Sequence, residues 1–199
     1  MSKPSKAPEP SVLYDFDPHN LPPEMLQAIG LLVASASQTE NIMQDFIGAL
    51  LRIDSVETLA LTAHMSIPLK NQVIQTLTEL NIPIAREIDL IDDLLEAAVE
   101  AYAKRNALAH NAIMTHPDTK ELLSMRASAR GSLLVSLQPI TVEQVQEDAS
   151  LIYQAGMDIM AFMMSRNLAP VARTRPVFAP LNRKKKARAE RRDLGGSKN

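Results

Sequence analysis

The chain has 199 residues, 46% of them hydrophobic and 22% charged, which suits one compact core with appended segments and excludes a wholly disordered chain. Cysteine is absent, which excludes disulfides, thiolate nucleophiles and cysteine-held zinc or iron–sulfur centres; six glycines and 4% aromatic residues are thin for a glycine-turn dinucleotide fold or a β-sandwich. The formal charge of −2 hides an asymmetry, because residues 170–199 carry ten basic and two acidic side chains, a net of +8 against −10 for the rest.

No apolar run reaches the roughly 18 residues of a membrane helix, and the charged start MSKPSKAPEPSVL leads into no apolar stretch. A cytoplasmic protein without membrane contact is expected. Residues 1–22, with Pro4, Pro8, Pro10, Pro18 and Pro22, read as an extended arm lying on the body through Val12, Leu13, Tyr14 and Phe16. Pro22-Pro23 starts a first helix to about Arg52, with the apolar stripe Leu26, Ile29, Val33, Ala36, Met43, Ile47 and Leu50. Glu40 falls on that stripe where an aliphatic residue is expected, and a carboxylate there needs a partner or water.

Asp54-Ser55 with Glu57 caps a second, shorter helix to about Met65. Ser66-Ile67-Pro68 begins a third, which Asn81-Ile82-Pro83 ends. A fourth helix is predicted from about Ile84 to Met114, on the stripe Ile84, Ile88, Ile91, Leu95, Ala98, Tyr102, Arg105, Ala109 and Ala112. Its odd member is Arg105, and the two polar residues read either as a Glu40–Arg105 pair across a helix contact or as the lining of a water-filled groove or an intersubunit contact. Beyond Thr115-His116-Pro117-Asp118, residues 121–126 and 132–138 flank Ala129-Arg130-Gly131 as a short hairpin. Thr141 with Gln144 caps a last helix to about Leu168. The fold class is therefore all-α, a bundle of about five helices with a β-hairpin inserted before the last.

The residues suited to chemistry lie at the end of the fourth helix, in Lys104-Arg105-Asn106-Ala107-Leu108-Ala109-His110-Asn111. At about 100° per residue Asn106 and His110 share a face, while Arg105 lies about 140° from His110, an angle a long stem can bridge. An arginine offers fixed donors to phosphate oxygens, and a histidine exchanges a proton near neutrality, a combination suited to phosphodiester chemistry. Arg105-Asn106-Ala107-Leu108-Ala109-His110 resembles the Arg-x4–6-His motif of HEPN domains (higher eukaryotes and prokaryotes nucleotide-binding), small helical domains that usually dimerise. The resemblance extends over about residues 23–168, although only the motif is specific.

That resemblance implies a homodimer joining two Arg/His pairs in one cleft, in a metal-independent endoribonuclease of a toxin–antitoxin or phage-defence system. No cofactor or metal is implied. Arg105 would steady phosphate charge, His110 would act on the ribose 2′-hydroxyl or the leaving oxygen, and Asn106 would orient the substrate or the His110 ring, with Glu40 and Tyr102 in support. RNA is the expected ligand and an antitoxin or defence protein a possible partner. The alternative is a non-catalytic HEPN-like dimer that binds a protein or nucleic acid. Residues 169–199 form a basic tail in which Arg183, Lys184, Lys185, Lys186, Arg188, Arg191 and Arg192 read either as an RNA-binding arm or as a solubilising segment. His64 and His116 read as solvated or capping histidines. Glu87, Asp89, Asp92, Asp93 and Glu96 read as a solvated face, and the methionines, Met157, Met160, Met163 and Met164 among them, as core filler.

Overall fold

The computed structural model describes residues 13–128 and 134–173. Among these are five α-helices, α1 (Pro23–Leu51), α2 (Ser55–Thr62), α3 (Ile67–Asn81), α4 (Ala85–His110) and α5 (Val142–Ser165), and three strands, β1 (Ala112–Thr115), β2 (Leu122–Ser128) and β3 (Leu134–Pro139). The caps follow the residue chemistry closely. Pro23 opens α1, and Arg52 closes it in the left-handed region, its N–H reaching Ala49 and Gly48 carbonyls. Asp54 and Glu57 form the reciprocal capping box of α2. The hydroxyls of Ser66 and Thr141 accept from the Leu69 and Gln144 amides to start α3 and α5.

Helix α1 packs on all four other helices. Its contacts with α5 climb in step, from the Thr39 hydroxyl donating to the Ile152 carbonyl to Phe46 against Phe162, so the two helices run parallel. Their close approach depends on Gly156, where a Cβ would sit 2.5 Å from Thr39 Oγ1. The core has two lobes. Phe46, Ile47, Ile74, Leu95 and Ile159 belong to one, Met25, Leu32, Val145 and Ile152 to the other, and Tyr102 packs against both.

The buried stripe in the first half of α1 is Met25, Ala28, Leu32 and Ala36, whereas Leu26 and Val33 are exposed. A stripe counted in steps of three and four drifts from a straight helix by about 20° per heptad, so one aligned on Ile47 is a residue out of phase near Leu26. The fourth helix is also shorter than expected. At Asn111 the backbone turns extended, and Ala112–Thr115 becomes β1, pairing antiparallel with β2 so that Met114 faces Leu123. The expected hairpin is thus part of a three-stranded antiparallel sheet, β1-β2-β3, joined to the end of α4. The amino-terminal arm adds to its edge, since Asp15 exchanges backbone hydrogen bonds with Thr115 and Tyr14 stands edge-on to His116. Leu13 and Phe16 of that arm are exposed, and Val12 lies outside the described residues. After α5 the chain returns to the corner between α1 and α2, where the Val171 amide donates to the Ile53 carbonyl and Arg173 meets Glu57.

Asp45 is half-buried on α1, and burial pushes its carboxyl above the usual range. A carboxyl raised on folding adds stability only where it is protonated, and that contribution is lost as pH rises through its folded value. Asp45→Asn is therefore expected to be more stable than the parent at pH 7 and to lose that advantage toward pH 4. Urea unfolding at the two pH values measures the difference, and an advantage that grows on acidification would contradict the cause given.

Candidate functional site

At the end of α4 the helical phase carries Tyr102 and Arg105 inward on the face that buries Ile91, Leu95 and Ala98. Arg105 is half-buried, and its guanidinium carbon lies 5.7 Å from the centre of the Tyr102 ring. Its Nη1 donates to Oδ1 of the adjacent Asn106 at 3.1 Å, while its buried Nε has no acceptor. No carboxylate among the described residues forms an ion pair with it. A permanent charge withdrawn from water normally has such a partner, because a ring face and a neutral amide compensate only part of the lost hydration.

Of the readings of Glu40 and Arg105, the direct pair is not formed. Glu40 turns to Lys70 of α3, whose Nζ donates to Glu40 Oε1 at 2.7 Å, and the Tyr102 hydroxyl donates to Oε2 at 3.3 Å. The Lys70 side chain is 3% exposed and that of Glu40 35%. Burial raises the Tyr102 phenol above its ordinary value, the Glu40 charge adds to the rise, and the Arg105 charge opposes it. The phenol is thereby kept protonated as the donor. Lys70 was missed in the sequence because a lysine in the first turn of an amphipathic helix reads as a surface residue; the one available signal was Glu40 itself, which demands a cation.

His110 is the last residue of α4, and its side chain is exposed. Among the described residues no hydrogen bond or ring contact engages it, and none joins it to Arg105. The two lie about 140° apart around the axis and about 7.5 Å along it. The half-buried Asn106 side chain accepts from Arg105, and among the described residues no side-chain hydrogen bond joins it to His110. One chain therefore presents two separate elements, an inward guanidinium with a free donor and an outward imidazole able to exchange a proton. The tail residues Arg183, Lys184, Lys185, Lys186, Arg188, Arg191 and Arg192 lie outside the described residues.

A concavity of about 260 Å³ lies between α4, the sheet and the start of α5. Lys104 and Asp148, paired at 2.7 Å, and Asn111, bonded to Ser124, line it; neither Arg105 nor His110 does. Of the acidic residues of α4, Asp89, Asp93 and Glu96 lie on an exposed face as expected, whereas Glu87 is paired to Arg166 and Asp92 accepts from Gln75. No cluster of three or more potential metal ligands occurs among the described residues. His116 acts as a cap, its Nδ1 accepting from the Asp118 and Thr119 amides, and His64 is exposed beyond α2. Of the four methionines named in α5, Met163 is buried and Met164 is exposed. No helix among the described residues is long and apolar enough to cross a membrane. Comparison with protein-family models, curated proteins and solved structures finds no match to this chain.

Proposed function

We propose that this protein is a HEPN-type, metal-independent endoribonuclease acting in a toxin or phage-defence system. The observation that carries the reading is Arg105, a half-buried guanidinium with an unpaired Nε and no carboxylate partner among the described residues, five residues from an exposed histidine at the same helix end. A phosphodiester supplies the missing anion and places the adjoining ribose within reach of an imidazole. In the reaction His110 takes the proton of the 2′-hydroxyl, the 2′-oxygen attacks phosphorus as the bond to the 5′-oxygen breaks, and the imidazolium returns its proton to that leaving oxygen. The products are a 2′,3′-cyclic phosphate and a 5′-hydroxyl. Arg105 neutralises the charge on the phosphoryl oxygens, and Asn106 fixes its guanidinium.

Because Arg105 and His110 point to different sides of one helix, the catalytic set is completed across a homodimer, each chain giving its arginine to one side of a shared cleft and its histidine to the other. The basic tail holds the remainder of the RNA by its phosphates, and an antitoxin or defence-system protein restrains the activity. Incubation of the purified protein with a mixed RNA pool in EDTA is expected to give cyclic-phosphate ends, and His110→Ala is expected to give none. Light scattering is expected to report a dimer. The same separation of the two side chains favours the second reading, a non-catalytic HEPN-like dimer that binds a protein or nucleic acid. A dimer that leaves every RNA intact would support it, and a monomer at all concentrations would remove both.

A further inference from the structure

We propose that Lys70 is a positioning residue that holds the Glu40 carboxylate off Arg105 and so keeps the guanidinium open to a phosphate. This rests on the reading of Arg105 as the phosphate-binding group, and it brings in a residue outside the sequence motif. Three helices meet here, with Glu40 on α1, Lys70 on α3, and Tyr102 and Arg105 on α4. Two cations and one carboxylate are present. Glu40 meets the hydroxyl of Tyr102 and Arg105 its ring, and a carboxylate that reaches a guanidinium ordinarily closes into a forked pair. Here both Glu40 oxygens are committed elsewhere, Oε1 to Lys70 and Oε2 to the Tyr102 hydroxyl.

Burial decides the competition. The Lys70 ammonium has almost no access to water, so losing its carboxylate would leave an uncompensated charge in the protein interior. Arg105 is only half-buried and rests on the Tyr102 ring, so it tolerates the lack of a partner better. The carboxylate therefore goes to the lysine, and the arginine remains a cation with unfilled donors. Without the lysine charge, only the neutral Tyr102 hydroxyl holds the partly exposed Glu40 carboxylate. It turns to Arg105, neutralises it and presents a like charge to any incoming phosphate. Removing both charges takes away the competitor together with the group that restrains it.

The test uses the full-length protein as parent, Lys70→Met, Glu40→Gln/Lys70→Met and Arg105→Ala. The Arg105 Nε–Hε resonance is assigned by its loss in Arg105→Ala and followed in titrations with inorganic phosphate and with a 2′-O-methyl oligoribonucleotide, which cannot be cleaved. Lys70→Met is expected to shift that resonance before any ligand is added and to weaken binding of both probes about tenfold. The double variant is expected to return the resonance and the affinities to near the parent values, which a merely structural role for Lys70 would not do. Lys70→Gln, which keeps a donor toward Glu40, is read in parallel should the methionine variant not fold, with the same direction expected.

A Lys70 variant that binds and resonates as the parent does would overturn the proposal. So would a deficit that persists in the double variant at an unchanged melting temperature. If the parent and Arg105→Ala bind the oligonucleotide equally, the reading of Arg105 as an RNA-binding group fails. The ligand-free resonance of Arg105 across the lysine variants then still decides whether Lys70 governs it.

Discussion

Arg105→Ala is expected to slow RNA cleavage by on the order of 10²–10³-fold, the usual cost of removing one preorganised donor from the charge that develops in the transition state. The fold is expected to survive the change. Arg105 makes no ion pair among the described residues, and its charge is a net liability where it sits, so alanine removes an uncompensated guanidinium along with some packing of its stem on Tyr102. A melting temperature equal to or above that of the parent, together with the loss of cleavage, separates a functional arginine from a structural one. Arg105→Lys is expected to recover only a small part of the rate, since an ammonium supplies charge without the planar fork. Cleavage by Arg105→Ala within threefold of the parent would leave the proposed chemistry without its electrostatic centre.

Phe46→Ala is expected to have the largest effect on the fold itself. Phe46 is 1% exposed and lies 6.1 Å from Phe162, ring centre to ring centre, where α1 and α5 run side by side. Truncating such a ring removes its transfer energy and leaves a cavity that two parallel helices cannot close, at a cost of about 3–5 kcal/mol. For a chain of this length that corresponds to a melting temperature lower by about 10 °C, measurable by circular dichroism. A loss below about 1 kcal/mol would mean that the α1–α5 seam relaxes into the space and is less tightly packed than its geometry indicates.

Where a structural signal is local, the sequence carried it well. Pro23, Asp54 with Glu57, Ser66 and Thr141 each begin a helix because their own side chains or ring satisfy the first turn, and those starts fall where the residues place them. The start of β1 was illegible for the opposite reason. Ala112, Ile113 and Met114 extend an apolar helical pattern, and only their pairing with residues 122–125 makes them a strand. The phase of α1 slipped by one residue near Leu26 because a count of threes and fours accumulates error over several heptads.

The site divides in the same way. That Glu40 and Arg105 needed explaining was visible from their stripes, but which cation Glu40 would choose depended on the relative burial of Lys70 and Arg105, a property of three packed helices. The motif placed Arg105 and His110 at one helix end, and helical geometry alone put them on different sides. The ligand proposed for them is a matter of binding, to which neither capping nor periodicity speaks.

The position of α1 against every other helix has a consequence for how the molecule opens. A helix shared by both core lobes cannot be released piecemeal, because freeing its middle exposes Phe46, Ile47 and Met43 together and separates α3 and α5 from their common support. The amide protons of residues 42–47 are therefore expected to exchange with solvent only through global unfolding, with one common opening free energy. Those of α2, eight residues long and buried chiefly through Thr58 and Thr62, should exchange through cheaper local openings. The central helix then acts as the clock of the whole fold, and its exchange rate reads the stability of any variant at the Arg105 site without a denaturant.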